Sequence, residues 1–214
     1  MSHRFHHEQI FRGQQAMRKI AAAGILICGA GALGSNLAET LARMGVTNMT
    51  VIDKDRVEEH NVSTQVYSLD DVGGQKAELL RNLLYREVGV EITARAQELT
   101  EKNAAKFLKG ATLVVDVFDN TASRRLVADY CRDNAIACLH AGMNDGYGEV
   151  IWNEKYRVPS DVGIDICDYP LARNLVTLVV SVAAEVLVRH ILTGEKRNYS
   201  VTVGDLSINR ELDL

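Results

Sequence analysis

Residues 24–28 read GILIC and run straight into Gly29-Ala30-Gly31-Ala32-Leu33-Gly34. SNLAETLARMG then places Leu37, Leu41 and Met44 on one helical face, and Gly45 stops it. NMTVID follows as a second apolar strand. Strand, glycine turn, helix and strand within about thirty residues make a βαβ unit, whose right-handed crossover requires the two strands to pair in parallel. Parallel strands are covered on both faces, so this one stretch commits the chain to a layered α/β architecture.

The alternation continues. GQKAELLRNLLYREV reads as a helix, VEITARA as a strand, EKNAAKFLKG as a short helix and TLVVDVF as a strongly apolar strand. TASRRLVADYCRDN is a helix capped by Asn120 or Thr121, followed by the strands IACLHAG and YGEVIW. The expected fold is an open, doubly wound, mostly parallel Rossmann-like sheet. Extra C-terminal strands come from NYSVTVGDLSINREL, turning at Gly204-Asp205. Between them LARNLVTLVVSVAAEVLVRHILTG is apolar nearly all round, which places it in the core or at a subunit interface.

With 214 residues and 47% hydrophobic content the chain can bury one substantial core, so residues 1–214 are expected to form a single domain. Two segments stand apart. Residues 1–20 carry Arg4, Arg12, Arg18 and Lys19 against Glu8 alone and read as a polar arm. Residues 154–170 lose all periodicity and hold both prolines, which predicts a mobile binding or closing loop.

A net charge of −4 with no basic stripe gives no reason to expect nucleic acid. The four cysteines form no C-x-x-C pair, so neither a disulfide framework nor a structural zinc site is expected, and Cys28, Cys131 and Cys138 fall inside elements as core thiols. No signal peptide and no membrane span is expected, and the simplest location is cytoplasmic.

The glycine run fits G-x-G-x-x-G in the setting that gives the motif meaning, after a strand and before a helix, where backbone amides and the helix dipole meet phosphate. Asp53 ends the next strand 24 residues after Gly29, placed to accept hydrogen bonds from ribose hydroxyls. At that point NAD and ATP fit equally. Four further signals favour ATP with a divalent metal: Asn61 and Gln65 after the Asp53-Lys54-Asp55 run, Lys76 at a helix start, Asp116 with Asp119-Asn120 closing the apolar strand, and Arg124 one helical turn on. A lysine suits terminal phosphates and an acid at a strand end suits a bridging magnesium.

Taken together, the G-x-G-x-x-G, D-x-D-x-V, N-x-x-x-Q, G-x-x-K and D-x-x-D-N-x-x-x-R runs, from about residue 4 to 192, resemble the ThiF/MoeB/HesA group, relatives of the ubiquitin-activating enzymes. The resemblance implies a homodimeric adenylyltransferase that uses ATP and Mg2+ on the C-terminal carboxylate of a small ubiquitin-like or sulfur-carrier protein ending in Gly-Gly. By match, Gly29, Gly31 and Gly34 lie at the nucleotide and Asp53 holds the ribose. Asn61 and Lys76 contact phosphates, Asp119 faces the magnesium, and Asp55, Gln65, Asn120 and Arg124 are further contacts. The family usually has an arginine where Thr64 stands and a second one near Glu8, for which Arg4 or Arg12 are the candidate substitutes. Many members also carry a zinc lobe, absent here, and some place an acyl-accepting cysteine where Cys167 lies. The departures leave a nucleotide-binding scaffold without turnover as the alternative. An NAD-dependent oxidoreductase is the remoter one, because no hydride-transfer residue or second substrate domain stands out.

Overall fold

The computed structural model describes residues 3–160 and 170–211. Eight strands make one sheet: β1 (Gly24–Cys28), β2 (Asn48–Ile52), β3 (Thr93–Arg95), β4 (Leu113–Asp116), β5 (Ala137–Asn144), β6 (Tyr147–Trp152), β7 (Asn198–Thr202) and β8 (Ser207–Glu211). Among the described residues seven α-helices accompany them: α1 (His6–Arg12), α2 (Gln14–Ala22), α3 (Ala32–Arg43), α4 (Lys76–Val88), α5 (Glu101–Leu108), α6 (Thr121–Asp133) and α7 (Arg173–Thr193). The strand order is β3-β2-β1-β4-β5-β6-β7-β8. Pairing is parallel from β3 to β5, then antiparallel through β8. The doubly wound sheet with added C-terminal strands is therefore as the sequence predicts.

The order has one consequence for function. From β1 the chain winds outward to β2 and β3, then returns past β1 to β4. The crossovers on either side of β1 part there, opening a crevice at the C-terminal ends of β1 and β4, the place where ligands bind in sheets of this kind. Both the glycine run after β1 and the acid-rich turn after β4 end at that crevice.

Alternate residues of β1 feed opposite faces. Ile25 and Ile27 join a large core with Leu37, Leu41, Leu80, Leu84, Val179 and Leu187, whereas Leu26 and Cys28 join a smaller one with Leu108, Val127 and Cys131. The helix after the glycine turn starts at Ala32, inside the motif and three residues earlier than its periodicity alone indicates. Helix α7 packs along α3 and buries Leu175, Val176, Val179, Val180, Ala183 and Leu187. By length and composition it is apolar enough to cross a membrane, and half of its apolar window is buried in the fold.

One expectation needs revision. The polar arm is a pair of helices, because Phe5, Met17 and Ile20 are buried in the large core and anchor it. Its arginines serve that packing: Arg4 donates to the Val88 and Gly89 carbonyls at the end of α4, and Arg12 bonds Glu8 and Glu185. Of the expected loop over residues 154–170, residues 154 and 155 close the turn after β6, residues 156–160 belong to no regular element, and residues 161–169, with Cys167, lie outside the described residues.

Candidate nucleotide site

The glycine run is built for two separate reasons. Gly29 has φ +110°, and a Cβ at Gly34 would stand 2.0 Å from the Gly29 carbonyl oxygen, so these two glycines are required by the turn itself. Gly31 is different: a Cβ there would meet nothing within 4 Å. The protein's own packing does not demand that glycine, which is what a close approach by a ligand to the backbone requires. Gly31 also caps α3 without any side-chain bond, leaving the helix's first amides aimed at the crevice.

Asp53 stands directly behind the loop. One of its carboxylate oxygens accepts from the Ala30 N–H at 2.6 Å, and the other accepts from the Asp55 N–H at 2.7 Å. Burial pushes its pKa up, and the two backbone bonds and Lys76 pull it back only in part. Lys76 opens α4 as a buried residue, with Nζ 4.0 Å from the Asp55 carboxylate. Tyr67, which the motif reading passed over, ties these parts together: its hydroxyl lies 3.0 Å from the Ala30 carbonyl and 3.1 Å from that of Lys76.

Asn61 is buried and knots the turn before Tyr67. Its Oδ1 accepts from the Glu58 N–H, and its carbonyl accepts from the N–H groups of Thr64 and Gln65. Gln65 follows with a buried Oε1 that has no hydrogen-bond partner, a polar atom awaiting a donor. Thr64 is buried, and its carbonyl is held by Asn36 on α3 and by Arg173 on α7.

At the end of β4 the acids divide. Asp116 is fully buried and bonds His140 Nδ1 at 2.8 Å, while His140 Nε2 meets the Asn153 amide oxygen, also at 2.8 Å. The Asn153 amide is oriented by its own donation to the Ala128 carbonyl, so Nε2 is the donor to it. Tyr156 stacks on His140 with ring centroids 3.8 Å apart. Arg124, expected at the nucleotide, turns into this cluster instead. It donates to the Tyr156 hydroxyl and the Ala141 carbonyl and sits 3.9 Å from Asp116. Burial disfavours its charge, but Asp116 and Tyr156 outweigh that and hold its pKa above the ordinary value.

Asp119 remains exposed at the crevice, beside Asn120, whose side chain accepts from the Ser123 N–H and caps α6. Among the described residues no three acids, histidines or cysteines gather around a metal position. A single exposed carboxylate fits magnesium, which keeps its waters and takes most other ligands from phosphate.

The structure thus brings Gly29, Gly31, Gly34, Asp53, Asp55 and Lys76 together, joined by bonds through Ala30 and Tyr67. Asn61 and Gln65 lie on the adjoining turn, and Asp119 and Asn120 follow the neighbouring strand. Arg124 is committed elsewhere, and Cys28, Cys131 and Cys138 are buried core thiols as expected. A cavity of about 320 Å³ beside Lys19, Thr112 and His190 lies at the opposite end of β1 and β4 and holds none of the motifs.

The family model for the ThiF family matches residues 6–201. Among curated proteins, the sulfur carrier protein ThiS adenylyltransferase of Bacillus subtilis is 31% identical over 154 residues, covering 69% of this chain and 46% of that protein. The tRNA threonylcarbamoyladenosine dehydratase of Escherichia coli is 34% identical over 138 residues, 63% of this chain and 51% of that one. The chain spans about half the length of these relatives. Among solved structures, Escherichia coli MccB with MccA-N7isoASN superposes with a TM-score of 0.82 at 18% identity, over 99% of this chain and 72% of MccB, a likeness of fold. With nearly its whole described length matched by the family model and its glycine run, Asp53 and Lys76 assembled at one crevice, the chain belongs to the ThiF family.

Proposed function

We propose that this chain binds ATP with magnesium and adenylates the C-terminal carboxylate of a small ubiquitin-like or sulfur-carrier protein ending in Gly-Gly, working as a homodimer. The observation that carries the reading is the bonding of the glycine loop to Asp53 and, through Tyr67, to the start of α4, where Lys76 stands. The adenylyltransferase among its relatives supports the same chemistry.

In that reading each part has a task. Asp53 accepts from the ribose with whatever lone pairs Ala30 and Asp55 leave open. Gly31 and the first amides of α3 lie against phosphate, and Lys76 neutralises charge on it, so that an anionic acyl oxygen can approach the α-phosphorus. Asp55 holds the ammonium group on that side. Asp119 would hold magnesium, which supplies Lewis-acid stabilisation of the phosphate oxygens. The attacking carboxylate is already ionised at neutral pH, so the site needs little acid-base catalysis. The phosphorus–oxygen bond to the acyl group forms as pyrophosphate leaves.

The test is ATP-pyrophosphate exchange in the presence of a panel of Gly-Gly carriers. Exchange that depends on a carrier and falls at least about a hundredfold in Lys76→Ala is expected. Exchange that survives Lys76→Ala refutes the assignment of the lysine. ATP binding with no exchange on any carrier favours the scaffold alternative.

A further inference from the structure

Arg173 is the first residue of α7 and is exposed at the crevice end of that helix. Its Nη1 donates to the Asn36 Oδ1 and to the Thr64 carbonyl, both at 2.7 Å. Asn36 lies on α3, two residues beyond the glycine run, and its own amide donates to the Ala32 and Thr64 carbonyls. The guanidinium is therefore fixed against the helix that Gly31 caps and the turn that carries Asn61 and Gln65.

Three features taken together set this placement apart from that of Arg4, whose carbonyl partners lie at a helix C-terminus. Both acceptors are neutral, and no carboxylate among the described residues pairs with it. It occupies the first turn of α7, which contains no acid, so its charge adds to the positive end of the helix dipole, an unfavourable position for a cation. Both Nη1 protons are used for anchoring, which leaves the Nη2 and Nε donors on the rest of a planar fork suited to phosphate. A cation held by neutral oxygens at a positive helix end is a site prepared for an anion.

We propose that Arg173 contacts the phosphate chain of the bound nucleotide, an inference that rests on the reading of this crevice as an ATP site. Anchored through Nη1 to α3 and to the Thr64 turn, it presents its remaining donors beside a threonine that offers no charge of its own. The role is charge neutralisation and positioning of phosphate, separate from any hold on the adenosine.

Calorimetric titration of the purified protein with ATP, ADP and adenosine tests this in the wild type, Arg173→Gln, which keeps an amide donor without the charge, and Arg173→Ala. Both variants should bind ATP and ADP about tenfold to about a hundredfold more weakly, the range for losing a charge-assisted hydrogen bond, with adenosine affinity unchanged. Arg173→Lys should fall between them and the wild type. Wild-type affinity for ATP in both variants overturns the proposal, as does an equal loss for adenosine and ATP, which would mean that Arg173 acts only by holding Asn36 and Thr64. A wild type that binds none of the three ligands sinks the ATP reading along with it.

Discussion

Adding one methyl group at Gly31 or at Gly34 should separate stability from binding. At Gly34 the new Cβ would stand 2.0 Å from the Gly29 carbonyl oxygen and 2.8 Å from its carbon, and both are backbone atoms. Relief requires about 1 Å of movement between loop and helix, the kind of overpacking that costs about 3 kcal/mol. In a chain of this size that lowers the melting temperature by roughly 6–12 °C. At Gly31 the same methyl meets nothing within 4 Å, so no clash opposes it and the melting temperature should fall far less than in Gly34→Ala. ATP affinity should nevertheless fall about tenfold or more, because the methyl fills the space through which phosphate approaches the helix amides. Thermal melts and calorimetric ATP titration on both variants check this. A Gly31→Ala protein that binds ATP like wild type would refute the placement of the nucleotide, and a Gly34→Ala protein with an unchanged melt would refute the loop geometry.

Other outcomes follow from the buried groups. Burial raises the Glu149 pKa, with Arg124 and His140 pulling the other way; a raised carboxylate favours the fold below its ordinary value of 4.5, and that advantage is lost as pH rises through the folded value. Glu149→Gln should therefore melt higher than wild type at pH 7 and show no gain at pH 4, and melts at the two pH values decide it. His140→Ala removes the partner of buried Asp116 and the stacking partner of Tyr156, and should cost about 3–5 kcal/mol in denaturant titrations. Burial pushes the Cys28 and Cys138 thiols well up, so native Cys167→Ser protein should release no rapid thiol to a disulfide reagent and react only on unfolding.

Much of this architecture is legible in the chain because the relevant contacts are local. The glycine run, the strand on either side of α3 and the Asn120 cap are all written within a few residues of where they act. The direction of a long side chain is not. Arg124 stands at the right spacing for the crevice, yet its guanidinium has inward partners on β5 and at Tyr156 that no spacing rule reports. Arg173 shows the converse: it meets the Thr64 carbonyl across 109 residues, so only the folded packing of α7 on α3 discloses it. The N-terminal helices were hidden because a few buried anchors, Phe5, Met17 and Ile20, outweigh a surface rich in polar residues.

The Tyr67 hydroxyl has one proton and two carbonyls within reach, one on the glycine loop and one on the first residue of α4. The glycine-loop side and the Lys76 side of the crevice are consequently a single mechanical part, and neither can be retuned without disturbing the other. Drift in sequence around such a joint has little room to reshape the crevice by small steps. Variation in what this scaffold acts upon has to come from elements outside the joint.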